Sequence, residues 1–505
     1  MTEDREVDVL IVGAGFAGIG MGIQLARRGR NSFVIIEQAD DVGGTWRDNR
    51  YPGVSCDVPS HLYSFSFRPN PNWSRVFAEG GEIHAYLREC VAEEGLSGRL
   101  RLNCALEEAA WDEGRARWRV RTSRGHFTAR SLVIATGRLS EPKIPAIKNL
   151  DGFGGRWWHS ARWNAKVSLV GKRVGLIGTG ASAIQILPRL VTEASDVVVF
   201  QRSAPYILPR GDREYSREEM ERFAADPSTV TELRESLFEE AERGFGARQR
   251  RHPDIDLLRQ RALDHLTASV PDPELRRRLM PDYEIGCKRI LFSDDYYAAL
   301  RRDHVRLEST SLARIADDGA RRGTGGTRGG SRVVVAAGGA SYELDVLVLA
   351  TGFNSTRPSI AGHIRGRWSR MLSDEWRNGM AAHASTTVHG FPNMYVLDGP
   401  NAALGHNSAI YMIETQVGYV LHALDHLQDS GAAALDVTAE AVGSYMNDID
   451  AMARDTVWTR GGCTSWYRDE RTGRVTLLWP ASATSFAERL ATFAPAEYEH
   501  LDSRG

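Results

Sequence analysis

The stretch Val7–Gly18, VDVLIVGAGFAG, decides the fold. It opens as an unbroken apolar run ending in glycine, the pattern of a strand covered on both faces in a parallel sheet. Gly13, Gly15 and Gly18 form G-x-G-x-x-G, and a helix-periodic stretch, IGMGIQLARRG, follows. A second apolar run, NSFVIIE, ends in Glu37. The first glycine permits a tight turn and the second lets a pyrophosphate approach the backbone. The third lets helix and strand pack closely, and the helix N-terminus receives the negative charge. An acid at the position of Glu37 accepts hydrogen bonds from ribose hydroxyls. Strand, glycine turn, helix, strand and acid in this order predict a unit that binds FAD.

The same unit recurs. KRVGLIGTGASA supplies Gly178, Gly180 and Ala183 between a strand pattern and a helix pattern, and DVVVFQR ends in Arg202. Gly13 to Glu37 and Gly178 to Arg202 both span 24 positions, so acid has become base at the equivalent point. An arginine there suits a 2′-phosphate, and the second unit reads as NADPH-binding. The alternative, a decayed structural repeat, sits poorly with glycines and a sensible charge both retained.

Two ATG stretches, Ala135–Gly137 and Ala350–Gly352, each end an apolar run and mark crossings between the two nucleotide units. Between 211 and 285 the chain turns charged and helix-periodic, which predicts a helical insertion. Residues 317–331, DDGARRGTGGTRGGS, read as a mobile surface loop, with a hairpin after them. AIYMIETQVGYVLHAL predicts a helix capped by Asn407 or Ser408. The expected fold is α/β: two Rossmann-like dinucleotide-binding domains, for FAD and NADPH, with a helical insertion in the NADPH domain. The FAD domain takes 1–150 and 346–505, the NADPH domain 151–210 and 286–345, and the insertion 211–285.

A length of 505 residues suggests about three domains. A net charge of −2 gives no electrostatic case for a nucleic acid or an anionic membrane as partner. The N-terminus resembles neither a signal nor a transit peptide, and no apolar run approaches the ~18 residues needed to span a bilayer; a cytoplasmic enzyme is expected. Only five of the 63 basic residues are lysines, so each lysine is informative. The five cysteines contain no C-x-x-C pair, and neither a disulfide framework nor a metal site is expected.

Phe153–Trp163, FGGRWWHSARW, carries three tryptophans with no regular helix or strand pattern to explain them. Phe153, Gly155, His159 and Trp163 match F-x-G-x-x-x-H-x-x-x-W, the fingerprint of the Baeyer–Villiger monooxygenases within the class B flavin-dependent monooxygenases. Gly44-Thr45-Trp46 followed by Tyr51, Pro52, Gly53 and Asp57 fits a second family pattern. Cys287-Lys288-Arg289 ahead of Tyr296-Tyr297, and FPNMYVLDGPNAALGHNS at 391–408, fit two more. The chain resembles this family over nearly its whole length. The GHNS and GCTSWY stretches look closest to the branch that includes 4-hydroxyacetophenone monooxygenase. The chain departs at Asn164, where the family usually has Pro or Asp, and at SWYRDERTGR, which differs from the loop of the cyclohexanone-type enzymes.

The resemblance implies insertion of one O2 oxygen beside a ketone carbonyl, giving an ester or lactone through a C4a-peroxyflavin. Such a peroxide must stay deprotonated, which calls for a fixed positive charge in a water-poor site. Arg289 is the candidate, paired with Asp57; a surface or salt-bridging arginine is the bland alternative. Arg202 and Lys288 would clamp the NADPH 2′-phosphate. Trp466 would reach the nicotinamide side, and His406 and Ser408 precede the helix aimed at the flavin. His159 is expected to couple the domains rather than transfer protons. The competing reading is an N- or S-oxygenating flavin monooxygenase, which needs neither Arg289 nor the final fingerprint Trp163. The missing C-x-x-C speaks against a disulfide reductase, and the second nucleotide motif against a non-catalytic flavin sensor.

Overall fold

The first apolar run becomes the strand Arg5–Val12, with Leu10 and Ile11 sealed from solvent. The computed structural model describes residues 5–316 and 332–502. Arg5–Val12 pairs in parallel with Phe33–Ile36 on one side and Gly125–Ile134 on the other. Leu100–Arg101 extends the sheet beyond Phe33–Ile36. On the far side Gly125–Ile134, Arg117–Thr122 and Leu106–Asp112 form an antiparallel meander, and Ile364–Arg365 joins its edge. Met394–Val396 pairs with the end of Gly125–Ile134, so the C-terminal third of the chain returns to the first sheet.

The second sheet is wholly parallel, in the order Val305–Glu308, Asp196–Phe200, Arg173–Ile177, Val346–Leu349, Arg156–His159. Two expectations are corrected here. Val346–Leu349 belongs to the second sheet, so the second unit runs past 345 and the chain crosses back only after Leu349. The run VLVL is buried at all four positions, as in a strand covered on both faces, and it pairs with Arg173–Ile177 on one side and Arg156–His159 on the other. The fingerprint segment is not an irregular connector either. Arg156–His159 is the edge strand of this sheet, followed by the 3-10 turn Ser160–Arg162.

The tryptophans then follow from strand alternation. Trp157 packs with Phe153, Phe200 and Leu347 on one face. Trp158 packs with Leu176 and Ile186 on the other, edge-to-face with Trp163 at 5.6 Å. A Cβ on Gly155 would stand 2.3 Å from the carbonyl oxygen of Asp345, so only glycine lets this strand enter beside Val346–Leu349. Asn164, where the family pattern breaks, heads a turn in which its side chain accepts from the Lys166 amide.

The insertion is helical, with Arg217–Ala225, Pro227–Arg243, Phe245–Arg248, Asp254–Ser269 and Pro273–Arg278. Ser216 and Glu219 form a capping box, and Asp226 and Asp272 each cap a helix that has proline at its first position. The late helix is Ala409–Asp429, and its cap is Ser408. The Gly/Arg-rich segment 317–331 lies outside the described residues; the hairpin of Val333–Ala336 with Ser341–Glu343 follows it. Among the described residues no helix is long and apolar enough to cross a membrane, and no His, Cys, Asp and Glu cluster could hold a metal ion.

The cysteines also depart from expectation. Cys287 and Cys463 form a disulfide, while Cys56, Cys90 and Cys104 are free and buried. The partners lie 176 residues apart. No local spacing encodes such a pairing; the approach of two distant segments makes it.

Candidate active site

A cavity of about 1090 Å³ runs between the two sheets, and both glycine turns open into it. Gly13 and Gly178 hold φ of +107° and +109°, where a Cβ would collide with the carbonyl oxygens of Ala135 and Ala350. Each turn thus nests against the backbone of an ATG crossing. Gly15 and Gly180, by contrast, have no backbone or side chain pressed against the missing Cβ. Each is the N-cap of its helix, Phe16–Arg27 or Ala181–Leu190, and neither helix has a side-chain cap. First-turn N–H groups therefore face the cavity, free for a pyrophosphate. Gly18 and Ala183 do not line the cavity. A Cβ on Gly18 would stand 1.9 Å from the Gly13 carbonyl oxygen, and Ala183 is fully buried in the second core.

Glu37 lines the first cradle and is 6% exposed. Its carboxylate accepts from the amides of Ala14 and Ala39 at 3.0 Å and pairs with Arg47 at 2.9 Å. Sequence reasoning missed Arg47, which no motif marks. Gly44, Thr45 and Trp46 close the cradle from the opposite side, and the Trp46 indole donates to the Tyr63 hydroxyl.

At the second cradle, Arg202 and Lys288 both line the cavity. The Lys288 ammonium donates to Ser203 at 2.6 Å. Burial, then the like charge of Arg202, lowers its pKa. Among the described residues neither cation makes an ion pair. Two adjoining cations without a carboxylate partner fit a phosphate.

Asp57 and Arg289 meet in the cavity wall as a two-bond fork, 2.9 Å from Nε and 2.7 Å from Nη2. Burial alone would raise the Asp57 pKa; the charge and hydrogen bonds of Arg289, with the charge of Arg210, outweigh it and hold it low. The facing carboxylate raises the Arg289 pKa further still. The Asp57 segment belongs to the first unit, but the second unit positions it. Arg210 donates to Ser55 and to the Cys56 carbonyl. Gln185, on the second unit's first helix, bonds the Tyr51 hydroxyl and the Ser55 carbonyl. The charge pair therefore forms only when the two units sit together.

A second pair, Arg138 with Asp398, lines the same cavity. Arg138 follows the first ATG directly, a signal that sequence reasoning passed over. Burial first, and also the like charge of Arg289, push its pKa down to about 10, which leaves it charged at neutral pH. Trp466 lines the cavity and touches Tyr467.

The fingerprint residues do not line the cavity. Phe153 and Trp163 pack against the second sheet. His159 is 3% exposed, with Nε2 donating to the Gly352 carbonyl and Nδ1 accepting from the Ala161 amide. Burial pushes its pKa down to about 4, so the ring stays neutral with both nitrogens engaged. It ties the edge strand to the second ATG crossing. Tyr296 and Tyr297 are core residues of the second unit. His406 turns onto Glu242 of the insertion, at 3.0 Å, while Ser408 caps its helix and donates to the Leu62 carbonyl.

A family profile described as pyridine nucleotide-disulphide oxidoreductase matches residues 10–217. A Baeyer–Villiger monooxygenase of Streptomyces coelicolor is 41% identical, covering 98% of this chain and 93% of that protein. The chain belongs to the Baeyer–Villiger monooxygenase family. A family member from Pseudomonas aeruginosa is 39% identical over 98% of this chain and 92% of its own length. Among solved structures, a steroid monooxygenase bound to NADP superposes with a TM-score of 0.84 at 31% identity, covering 99% of this chain and 100% of that one. The structure named OTEMO, in complex with FAD and NADP, gives 0.85 at 26% identity over 98% of this chain and 100% of that one.

Proposed function

We propose that this family member uses NADPH, FAD and O2 to insert one oxygen atom beside the carbonyl of a ketone, releasing an ester or lactone. FAD, when bound, accepts the hydride and activates dioxygen. The first cradle suits it: uncapped helix amides for the pyrophosphate and the Glu37 carboxylate for a ribose. The second cradle suits NADPH, with Arg202 and Lys288 toward the 2′-phosphate. Trp466 closes the nicotinamide side.

The observation that carries the reading is the Arg289–Asp57 fork in the wall of a cavity fed by both cradles. A guanidinium does not titrate in the working range. Placed where negative charge sits on oxygen, it keeps that oxygen deprotonated and nucleophilic toward a carbonyl carbon. Asp57 holds the guanidinium plane and leaves Nη1 without a carboxylate. The Asp57 segment hangs on Gln185 and Arg210, so loading the second cradle bears directly on the geometry at Arg289.

The test is product analysis with aromatic, cyclic and long-chain ketones, together with an alkyl aryl sulfide. The purified protein should carry FAD and bleach faster with NADPH than with NADH, and at least one ketone should give an ester or lactone. Sulfoxide without ester from any ketone would assign the heteroatom-oxygenating activity instead. A protein that cannot be reconstituted with FAD would overturn the reading altogether.

A further inference from the structure

The Cys287–Cys463 bridge joins two segments that both reach the active site. Cys287 directly precedes Lys288 and Arg289, and Cys463 lies three residues before Trp466. Their Cα atoms are 6.1 Å apart, within the range a disulfide spans without moving the backbone. The two sulfurs differ in access: Cys287 is completely buried, whereas Cys463 is partly open, between exposed Gly462 and exposed Thr464.

The segments would stay neighbours without the bond. The Glu284 amide donates to the Gly461 carbonyl at 2.8 Å, and Cys287 packs in one apolar cluster with Val457, Trp458 and Tyr467. Beyond Gly461 the restraints thin out. The chain from Gly462 through Trp466 is held by the disulfide at its start. At its far end the chain is held by Tyr467, fully buried in the same cluster as Cys287, and then by the exposed ion pair of Glu470 with Lys143. An exposed pair of this kind contributes roughly 0–1 kcal/mol. Cutting the bond therefore loosens the short stretch carrying Trp466, between Gly461 and the buried Tyr467, while leaving the fold in place.

We infer that Cys287–Cys463 is a thiol-exchange site through which a dithiol reductant changes how firmly Trp466 closes the NADPH side of the cavity. The inference rests on the reading of that cavity as an NADPH site. In the exchange, a reductant thiolate attacks Cys463 Sγ, the accessible sulfur, and Cys287 leaves as thiolate and takes up a proton. The second thiol of the reductant then attacks the mixed disulfide and releases Cys463 as a thiol. Two electrons and two protons pass to the protein, and the reductant leaves as its disulfide. The oxidised state holds the loop on the nicotinamide side. The reduced state lets it swing, weakening NADPH retention and letting activated oxygen escape as hydrogen peroxide.

The experiment poises the FAD-loaded protein across a series of reduced to oxidised dithiothreitol. Alkylation and mass analysis score the peptides containing Cys287 and Cys463. The same samples are assayed for NADPH KM and for peroxide formed per NADPH consumed. KM and the peroxide ratio should rise together with the fraction of free thiols, by roughly three-fold or more at full reduction. FAD content should stay constant, and Tm should fall modestly, because the bond closes a loop of 176 positions. Cys463→Ser should behave as the reduced enzyme at every poise. Free thiols at both positions in the fully oxidised sample would overturn the inference, as would kinetics that ignore the poise. An enzyme that oxidises NADPH equally in both states removes this proposal alone. A protein that oxidises NADPH in neither state removes the cofactor reading and this proposal with it.

Discussion

Arg289 and Asp57 lie 232 positions apart in the chain, yet they meet as a two-bond fork in the cavity wall. Arg289→Ala should still oxidise NADPH but release hydrogen peroxide in place of ester, with product formation falling by about 100-fold or more. Product gas chromatography beside an NADPH absorbance trace measures both. Ester at the normal rate would take Arg289 out of the chemistry. Arg202 acts on a different quantity. Arg202→Ala should raise the KM for NADPH about ten-fold, close to 1.4 kcal/mol of lost phosphate binding, with little change for NADH. Equal effects on both coenzymes would mean that Arg202 does not see the 2′-phosphate. Glu37 and Arg202 were legible as an acid and a base at equivalent ends of two matching units. Arg47, Arg210 and the Arg138–Asp398 pair were not. Each is one arginine among many, and only the folded chain shows which carboxylate or carbonyl it meets.

At the scale of elements, the glycine-turn units were readable because each concentrates its signals in a short span: apolar run, glycines, helix and second strand. The helical insertion was readable because a charged, helix-periodic pattern runs through 211–285. The fingerprint strand Arg156–His159 was not. Four residues are too few for a period, and two adjacent tryptophans read as a cluster until a neighbouring strand gives them opposite faces. The crowding at Gly155 tests this placement. Gly155→Ala sets a methyl group against the Asp345 carbonyl oxygen and the Phe153 ring. The edge strand must then shift, at a cost of roughly 1–3 kcal/mol. A thermal melt should show a lower Tm, with weakened NADPH binding because His159 can no longer hold Gly352. An unchanged Tm would mean that the strand has room the structure does not show.

At the scale of the molecule, the two units are stitched by groups that belong to neither motif. Glu242 accepts from His406, Asn407, Ala483 and Thr484, joining the insertion to the C-terminal third. Burial works against this carboxylate, but its hydrogen bonds, first that from His406, prevail and bring its pKa to about 2. Stability should respond to pH through buried histidines instead. Burial lowers the pKa of both His61 and His159 to about 4. An unfolded histidine titrates near 6.5, so the unfolded chain takes up these protons first. The stabilisation is complete above about pH 6.5 and is lost as pH falls toward 4. Each group is worth on the order of 3 kcal/mol across that window. Urea midpoints measured from pH 7.5 to 4.5 should fall accordingly, and less steeply in His159→Gln. A flat profile would show that these rings are protonated within the fold.

The sequence by itself determined the two dinucleotide cradles, their different charge, the helical insertion and the family. All of these are written in contiguous residues, where spacing alone carries the physics. The tertiary structure decided the Asp57–Arg289 fork, the strand that joins the second sheet at 346–349 and the Cys287–Cys463 bridge. In each case partners far apart in the chain meet only in the folded molecule, within the second sheet or across the cavity between the two sheets. The energy of such a meeting belongs to the approach of whole units and leaves no mark on either stretch alone.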